Sequence, residues 1–387
     1  MFNFNSNFGV FIGTSPNTLF RLNVSLLDGA DVLANDSVSN IEYVDFSSLV
    51  TEVHIENGVS AIGTTIDVGS KSGTIILARQ DADPLEGYFT KVGSPIRLTL
   101  IDYPFPGSDL NWFFGYVKSI QKDTDATGLT RVVINFGDQI EQLMNTVATI
   151  AVATDQTFAQ RWTSIYDLVA ADLPVLTTMT ASGFTFPGID IFEMPLTETI
   201  NNTMQGELGW LVTSRLNGIY PMSHTYLKNT LAGAASYEIN TTVTSDEIPP
   251  IYINQAADSE AIVSTINASL TWDAGTTSTI TDTDQADLYG NSTLEIAVDL
   301  ADQNQLDIWV SYAITLTGQQ RIQALSLDGI SHKDAELNSV YLMDPGECVL
   351  VNVQSAGTSI NEKYLISKVT HAITPDTWQT DLELWRN

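Results

Sequence analysis

The chain has 387 residues, enough for two to four domains at roughly 100–200 residues each. Its net charge of -30 comes from 46 acids against only 16 Lys and Arg, so bases have been removed rather than acids added and the surface is mostly neutral polar. That excludes a nucleic-acid reader, which needs clustered Lys and Arg, argues against a carboxylate-crowded halophile surface, and with 43% hydrophobic residues excludes disorder.

Residues 1–20 read as a docking arm, because Phe2, Phe4, Phe8 and Phe11 free in solvent would be a liability. The first eight residues lack a basic region and a continuous apolar stretch, so no secretory signal is expected. No apolar run approaches the ~20 residues of a membrane helix, so no membrane anchor is expected and synthesis is expected in a cytoplasm. Residues 21–26 alternate with period two, and strand-like runs follow near 51–56, 73–78, 96–101, 112–120 and 131–136. Turn residues separate them at Asn57-Gly58, Lys71-Ser-Gly73, 81–84, 104–107 and 123–128. Short strands at this spacing predict a barrel or sandwich. Residues 138–146 predict a short helix with Ile140, Leu143 and Met144 on one face.

The period then changes. Residues 158–173 carry Trp162, Ile165, Leu168 and Val169 at helical spacing, and Pro174 ends the run. A second helix is predicted over 196–209 with Thr197 as N-cap, followed by a pair of short strands at 210–214 and 218–222. Ile248-Pro-Pro250 reads as a linker. Residues 262–272 alternate, 292–297 predict a strand, and 302–316 a helix with Leu306, Trp309, Val310 and Ile314 on one side. The end predicts strands again, at 339–343, 348–353, 364–371 and 378–384. There is no fixed-period repeat.

Chemistry-bearing motifs are sparse. His54, His224, His332 and His371 form no zinc-binding spacing and read as surface or strand residues. Gly69-Ser-Lys-Ser-Gly73 reads as a hairpin turn rather than a phosphate loop, and no Gly-x-Ser-x-Gly elbow occurs. The one cysteine, Cys348, lies in an apolar run and reads as a buried strand thiol. Asp282, Asp284 and Asp287 resemble the start of a calcium loop. The sixth place, however, is Asp287 where Gly is needed and the twelfth is Thr293 where Glu is needed, so the run reads as a solvated loop. Among 46 acids no carboxylate pair stands out for glycoside hydrolysis. No catalytic, cofactor-binding or metal-binding residue is expected, no cofactor, and no enzyme activity.

Two stretches carry a resemblance. The first runs Thr74-Ile-Ile-Leu-Ala-Arg-Gln-Asp-Ala-Asp-Pro-Leu85, Gly93-Ser-Pro-Ile-Arg-Leu-Thr-Leu100, Phe114-Gly-Tyr-Val-Lys-Ser-Ile120 and Val132-Val-Ile-Asn-Phe-Gly-Asp138. Its order resembles the N-terminal barrel of siphophage minor tail proteins of the tail-hub type, with Gly93–Pro95 as a corner and Gly115 letting the wall bend. The second is Asp284-Gln-Ala-Asp-Leu-Tyr-Gly290, Asp344-Pro-Gly-Glu347 and the closing stretch from Tyr364 to Trp385. The closing stretch resembles a hub hairpin of the form Val-x-His-x-Ile-x-Pro-Asp-x-Trp-x-Thr-x-Leu. In it Pro375-Asp376 take the turn, Ile366, Val369, Leu382 and Leu384 face the core, and Trp378 packs beside the turn.

The resemblance implies a mainly β fold with α+β insertions: two tail-tube-like β-barrel domains, the second discontinuous, plus small peripheral α/β domains. The boundaries it implies are a docking arm at 1–20, a first hub barrel at 21–149, an α/β insertion at 150–247, a second barrel at 248–284 and 340–387, and a small α/β domain at 285–339. It further implies a structural tail-tip (baseplate hub) protein in the virion of a tailed virus, assembled in the host cytoplasm. The expected partners are its own copies in a homotrimer, the distal tail or tube protein, the tape-measure protein, and central tip or receptor-binding proteins. DNA would pass through without specific binding. The alternatives are a hexameric distal tail protein, a tail component that binds host-wall carbohydrate, or a peptidoglycan hydrolase.

Overall fold

The computed structural model describes residues 9–11, 19–27, 43–45, 50–59, 61–62, 65–66, 68–79, 92–93, 95–101, 109–124, 126, 128, 130–167, 183–214, 218–241, 248–256, 262–317, 321–329, 340–355, 358–374 and 377–386. Most of the proposed arm, Leu168, Val169, Pro174, His332 and the Pro375-Asp376 turn lie outside the described residues.

Strand-forming alternation fills the first third of the chain. In order come β1 (Gly9–Phe11), β2 (Leu19–Leu27), β3 (Tyr43–Asp45), β4 (Val50–Gly58), β5 (Ala61–Ile62), β6 (Thr65–Ile66), β7 (Ser72–Arg79), β8 (Pro95–Ile101), β9 (Asp109–Thr124) and β10 (Thr130–Gly137). Gly93, at φ 95, makes the expected corner before β8. Gly115 is required by close approach: a Cβ there would run into the Gly137 carbonyl and the Phe113 ring. Helix α1 (Gln139–Met144) buries Ile140 and Leu143.

The middle alternates short strands and helices: β11 (Val147–Val152), β12 (Gln156–Thr157), α2 (Phe158–Tyr166), β13 (Thr185–Phe186), β14 (Ile189–Pro195), α3 (Thr197–Glu207), β15 (Trp210–Thr213), β16 (Ile219–Met222), α4 (His224–Ala232) and β17 (Tyr237–Asn240). The last part holds β18 (Pro250–Ala256), β19 (Thr265–Leu270), β20 (Thr277–Thr281), α5 (Thr283–Tyr289), β21 (Thr293–Val298), α6 (Gln303–Leu316), β22 (Arg321–Asp328), β23 (Cys348–Ser355), β24 (Thr358–Ile373) and β25 (Trp378–Trp385).

The fold is mainly β. Fourteen strands form one sheet, in the order β1-β2-β8-β9-β10-β7-β4-β24-β25-β22-β18, with β3 on β2 and the β17–β23 pair on β24. Among the described residues this hydrogen-bonded path does not close on itself. Its central seam joins the two ends of the sequence: β4 pairs antiparallel with β24, Ile55 opposite His371 and Gly58 opposite Lys368. A core under the first half (Val53, Ile75, Leu98, Phe113, Phe136) accordingly takes in Tyr341, Ile373 and Trp378. A second core holds Val351, Tyr364, Ile366, Val369, Leu382 and Leu384. The four aliphatic residues expected to face the core in the closing hairpin do so.

Several expectations change. Residues 340–342 form a 3-10 turn, not a strand, and all three are buried. Ile248 is not linker: it is buried and bridges Ile239 in parallel, leading directly into β18. Thr197 is the first helical residue rather than the cap, and its hydroxyl donates to the Met144 carbonyl. Strands β19 and β20 stand apart from the main sheet, β19 pairing with β20 on one side and β21 on the other, while β22 joins the main sheet beside β25. The insertion and the β19–α6 unit share one apolar core, with Trp162, Ile200 and Trp210 from one and Ile266, Leu306 and Trp309 from the other.

The seam yields a direct prediction. Gly58 sits at φ 138, and a Cβ on it would enter the Ser367 carbonyl and Lys368 Cα. Gly58→Val is expected to lower the unfolding free energy by about 3 kcal/mol or more, measured by urea denaturation. A change under ~1 kcal/mol would show that the seam tolerates side chains there.

Candidate functional site: a buried ionic junction

A buried polar cluster lies where β4, β7, β10, α1 and β15 meet. Asp138 follows β10 and caps α1, its Oδ1 accepting the Ile140 N–H at 3.0 Å. Its Oδ2 accepts the Lys71 backbone N–H at 2.6 Å and the Thr213 hydroxyl. Lys71 is fully enclosed. Its Nζ donates to the Trp112 carbonyl at 2.8 Å and lies 5.5 Å from the Trp112 ring centroid and 5.8 Å from that of Phe113. Asn57 Nδ2 donates to the Thr213 carbonyl at 2.7 Å, and Gly69 N–H to Leu211 O at 3.3 Å. These bonds tie β15, an insertion strand, to the main sheet.

An aromatic layer continues the cluster. Trp112 Nε1 donates to Tyr341 O at 3.0 Å, and its ring meets His371 and Trp378 edgewise at 5.0 and 5.2 Å. Trp378 Nε1 lies 3.3 Å from His371 Nδ1, and the Thr380 hydroxyl 2.9 Å from the same atom. An indole N–H can only donate, so Nδ1 is an acceptor and the neutral imidazole carries its proton on Nε2.

Burial sets the electrostatics. It pushes the Asp138 carboxyl up to about 6, against the hydrogen bonds from Thr213, Lys71, Glu141 and Ile140 that favour the ion. It lowers the Lys71 ammonium, against the fields of Asp344 and Asp138. It also drives His371 down to about 3, helped by the charges of Lys71 and His54. Each of these groups is bonded into the protein interior, so the arrangement locks strands together rather than presenting a reacting group.

A second tie lies in the periphery. Arg161 of α2 lies 3.5 Å from Asp299, bonds the Pro187 carbonyl, and sits 5.4 Å over Phe186. Trp309 Nε1 donates to Gln205 O at 3.1 Å. His224 Nδ1 is 3.0 Å from buried Glu207 Oε1, with the imidazole flanked by Phe184 and Tyr312 at 5.0 and 5.2 Å. That pair clamps the start of α4 to the end of α3.

The residues weighed from sequence fall as follows. Asp282 N-caps α5 through bonds to the Asp284 and Gln285 N–H groups, both 3.0 Å. Asp284 and Asp287 lie on that helix, so the three do not form an open loop of alternating oxygens. His54, exposed on β4, and His371, buried on β24, are strand residues as expected, whereas His224 opens α4 and is half-buried. Cys348 is a buried strand thiol as expected, its pKa raised by burial. Gly69–Gly73 is not a simple turn, because Lys71 at its centre is interior. The junction was missed from sequence. The available signals were a lone Lys between glycines in a chain poor in Lys, and an Asp at a strand-to-helix step.

No protein-family model and no curated protein matches the sequence. Solved structures do match, over nearly the whole length of both chains. A tail protein from Neisseria meningitidis MC58 aligns at TM-score 0.61 and 12% identity, covering 95% of this chain and 97% of that one. The 43 kDa tail protein of prophage MuSo2 from Shewanella oneidensis aligns at 0.58 and 12%, covering 94% and 98%. Prophage tail protein gp18 from Listeria monocytogenes EGD-e aligns at 0.54 and 10%, covering 94% of each. The chain therefore has the fold of phage tail proteins.

Proposed function

We propose that this chain is a structural tail-tip hub protein of a tailed virus, forming a homotrimeric ring that joins the tail tube to the tip and lines the channel for DNA. The observation that carries the reading is the end-to-end likeness in fold to three tail proteins, insertion included. The β4–β24 seam supports it as well, because it joins two β units rigidly within one chain, as a ring of paired units requires. On this reading the two units are the proposed tube-like domains, the first over residues 21–149 and the second discontinuous, drawing β18, β22 and β23 to β25 into the main sheet and leaving β19 and β20 outside it. Six units in a trimer would then match a sixfold tube. The neighbours would be the distal tail or tube protein, the tape-measure protein, and the central tip or receptor-binding proteins. The excess of acids over bases suits a wall that DNA passes without holding.

Native mass and negatively stained images test this reading: a trimer forming rings is expected. A hexamer would favour a distal tail protein instead, and a clearing zone on a peptidoglycan zymogram would overturn the non-enzymatic reading. Carbohydrate binding through stacked indoles is disfavoured, since Trp112, Trp162, Trp210, Trp309, Trp378 and Trp385 are all buried and only Trp272 is exposed.

A further inference from the structure

The two-stranded β11–β14 sheet turns an apolar face outward. Its inner side, Ile150 and Ile189 with Ala148, Val152 and Ile191, packs on the peripheral core. On its outer side Val147 is 61% exposed and Phe192 71%, and Val147 stands opposite exposed Pro195. Met194, 46% exposed, adds to the rim.

The backbone is bent to hold this face. The register shifts between Ala148 and Ile150, setting Phe192 and Glu193 opposite Thr149. Glu193 takes φ 48, the left-handed region, and its N–H donates to Thr149 Oγ1 at 3.1 Å. A bulge of this kind re-aims a side chain, and a non-glycine residue stays left-handed only where its surroundings impose it.

Charge indicates the occupant. Between residues 132 and 214 the sequence holds nine acids and one base, Arg161, which is buried against Asp299 and Pro187. Asp190 and Glu193 are exposed on either side of Phe192 along β14. A second copy presenting the same face would set acids against acids.

We propose that the outer face of this two-stranded sheet docks a different protein, through a segment that couples an apolar anchor to flanking Lys or Arg. Phe192 and Val147 receive the anchor, and Asp190 and Glu193 receive the cations.

The test titrates the full chain with a peptide of alternating Lys and Leu, and with a Glu and Leu peptide of equal length, by calorimetry at two salt concentrations. The Lys–Leu peptide is expected to bind and the Glu–Leu peptide not. Phe192→Ser is expected to weaken binding at least tenfold with an unchanged melting temperature, because Phe192 is exposed. Asp190→Asn with Glu193→Gln is expected to reduce the salt dependence. Asp284→Asn with Asp287→Asn on α5, an equal loss of charge, is expected to change neither. Binding untouched by Phe192→Ser, or an equal effect of the α5 pair, overturns the proposal. A drop in native mass with Phe192→Ser also overturns it, because a second copy would then occupy the face.

Discussion

Asp138→Ala is expected to lower the unfolding free energy by about 4 kcal/mol at neutral pH, among the largest single-residue effects in the chain. Opposing terms decide the figure. Removing the carboxylate relieves its own burial, which outweighs the hydrogen bonds to it and so pushes its pKa up to about 6. Against that, three donors lose their acceptor at once: the Ile140 N–H at the helix cap, the Lys71 N–H, and the Thr213 hydroxyl. The cap is worth ~1 kcal/mol, and each buried unsatisfied donor costs ~1–3. The Lys71 ammonium also loses one of the two anions whose fields support it. Loss should win. Thr213→Val, which removes one donor and leaves Asp138 otherwise bonded, should cost about 1–2 kcal/mol. Urea denaturation gives both values. Hydrogen exchange should further show β15 and α1 opening first in Asp138→Ala. A loss below ~1 kcal/mol for Asp138→Ala would mean that the junction does not lock the insertion to the sheet.

The second large effect is a change in pH dependence on replacing His371. Its folded pKa, about 3, lies below the ordinary 6.5, so its contribution is present above pH 6.5 and is lost as pH falls from 6.5 toward 3. Asp138 runs the other way. Its folded pKa, about 6, lies above 3.8, so its contribution is full below pH 3.8 and is lost as pH rises through 6. From pH 6.5 to 5 the histidine should cost about 2 kcal/mol while the aspartate returns about 1.4, at ~1.4 kcal/mol per unit. The two buried groups therefore nearly cancel in the native chain. His371→Asn keeps an acceptor for the Trp378 and Thr380 groups and removes the titration. Relative to the native chain, its stability should rise by about 2 kcal/mol between pH 6.5 and 5. Asp138→Ala should do the reverse and lose about 1.4 kcal/mol more than the native chain over the same interval. Comparing each variant with the native chain removes the shared relief of charge repulsion in a chain of net charge -30. Identical slopes for the native chain and His371→Asn would show that the imidazole is hydrated rather than enclosed.

The amino-acid sequence by itself determined the strands and their buried faces. Val53 and Ile55, Val132 and Ile134, and Leu382 and Leu384 alternate into cores as written, because a period of two assigns faces without reference to a partner. It also determined α1 and α6, read over 138–146 and 302–316; the structure sets their first residues, Asp138 and Asp302, just outside as caps, since a carboxylate before a helical run satisfies local N–H groups. Tertiary structure decided partners. Nothing local says that β4 pairs with β24, more than 300 residues on, that β19 leaves the main sheet for β21, or that residues 340–342 coil tightly beneath Trp112. It likewise decided that Lys71, read from the sequence as the centre of a Gly69–Gly73 turn, is interior. The fields of the distant Asp344 and Asp138, the Trp112 carbonyl that accepts from Nζ, and the Trp112 and Phe113 rings make a buried ammonium tolerable. Periodicity records that a face is covered, whereas the identity of the cover is set by long-range packing, on which a stretch of sequence carries no local energy term.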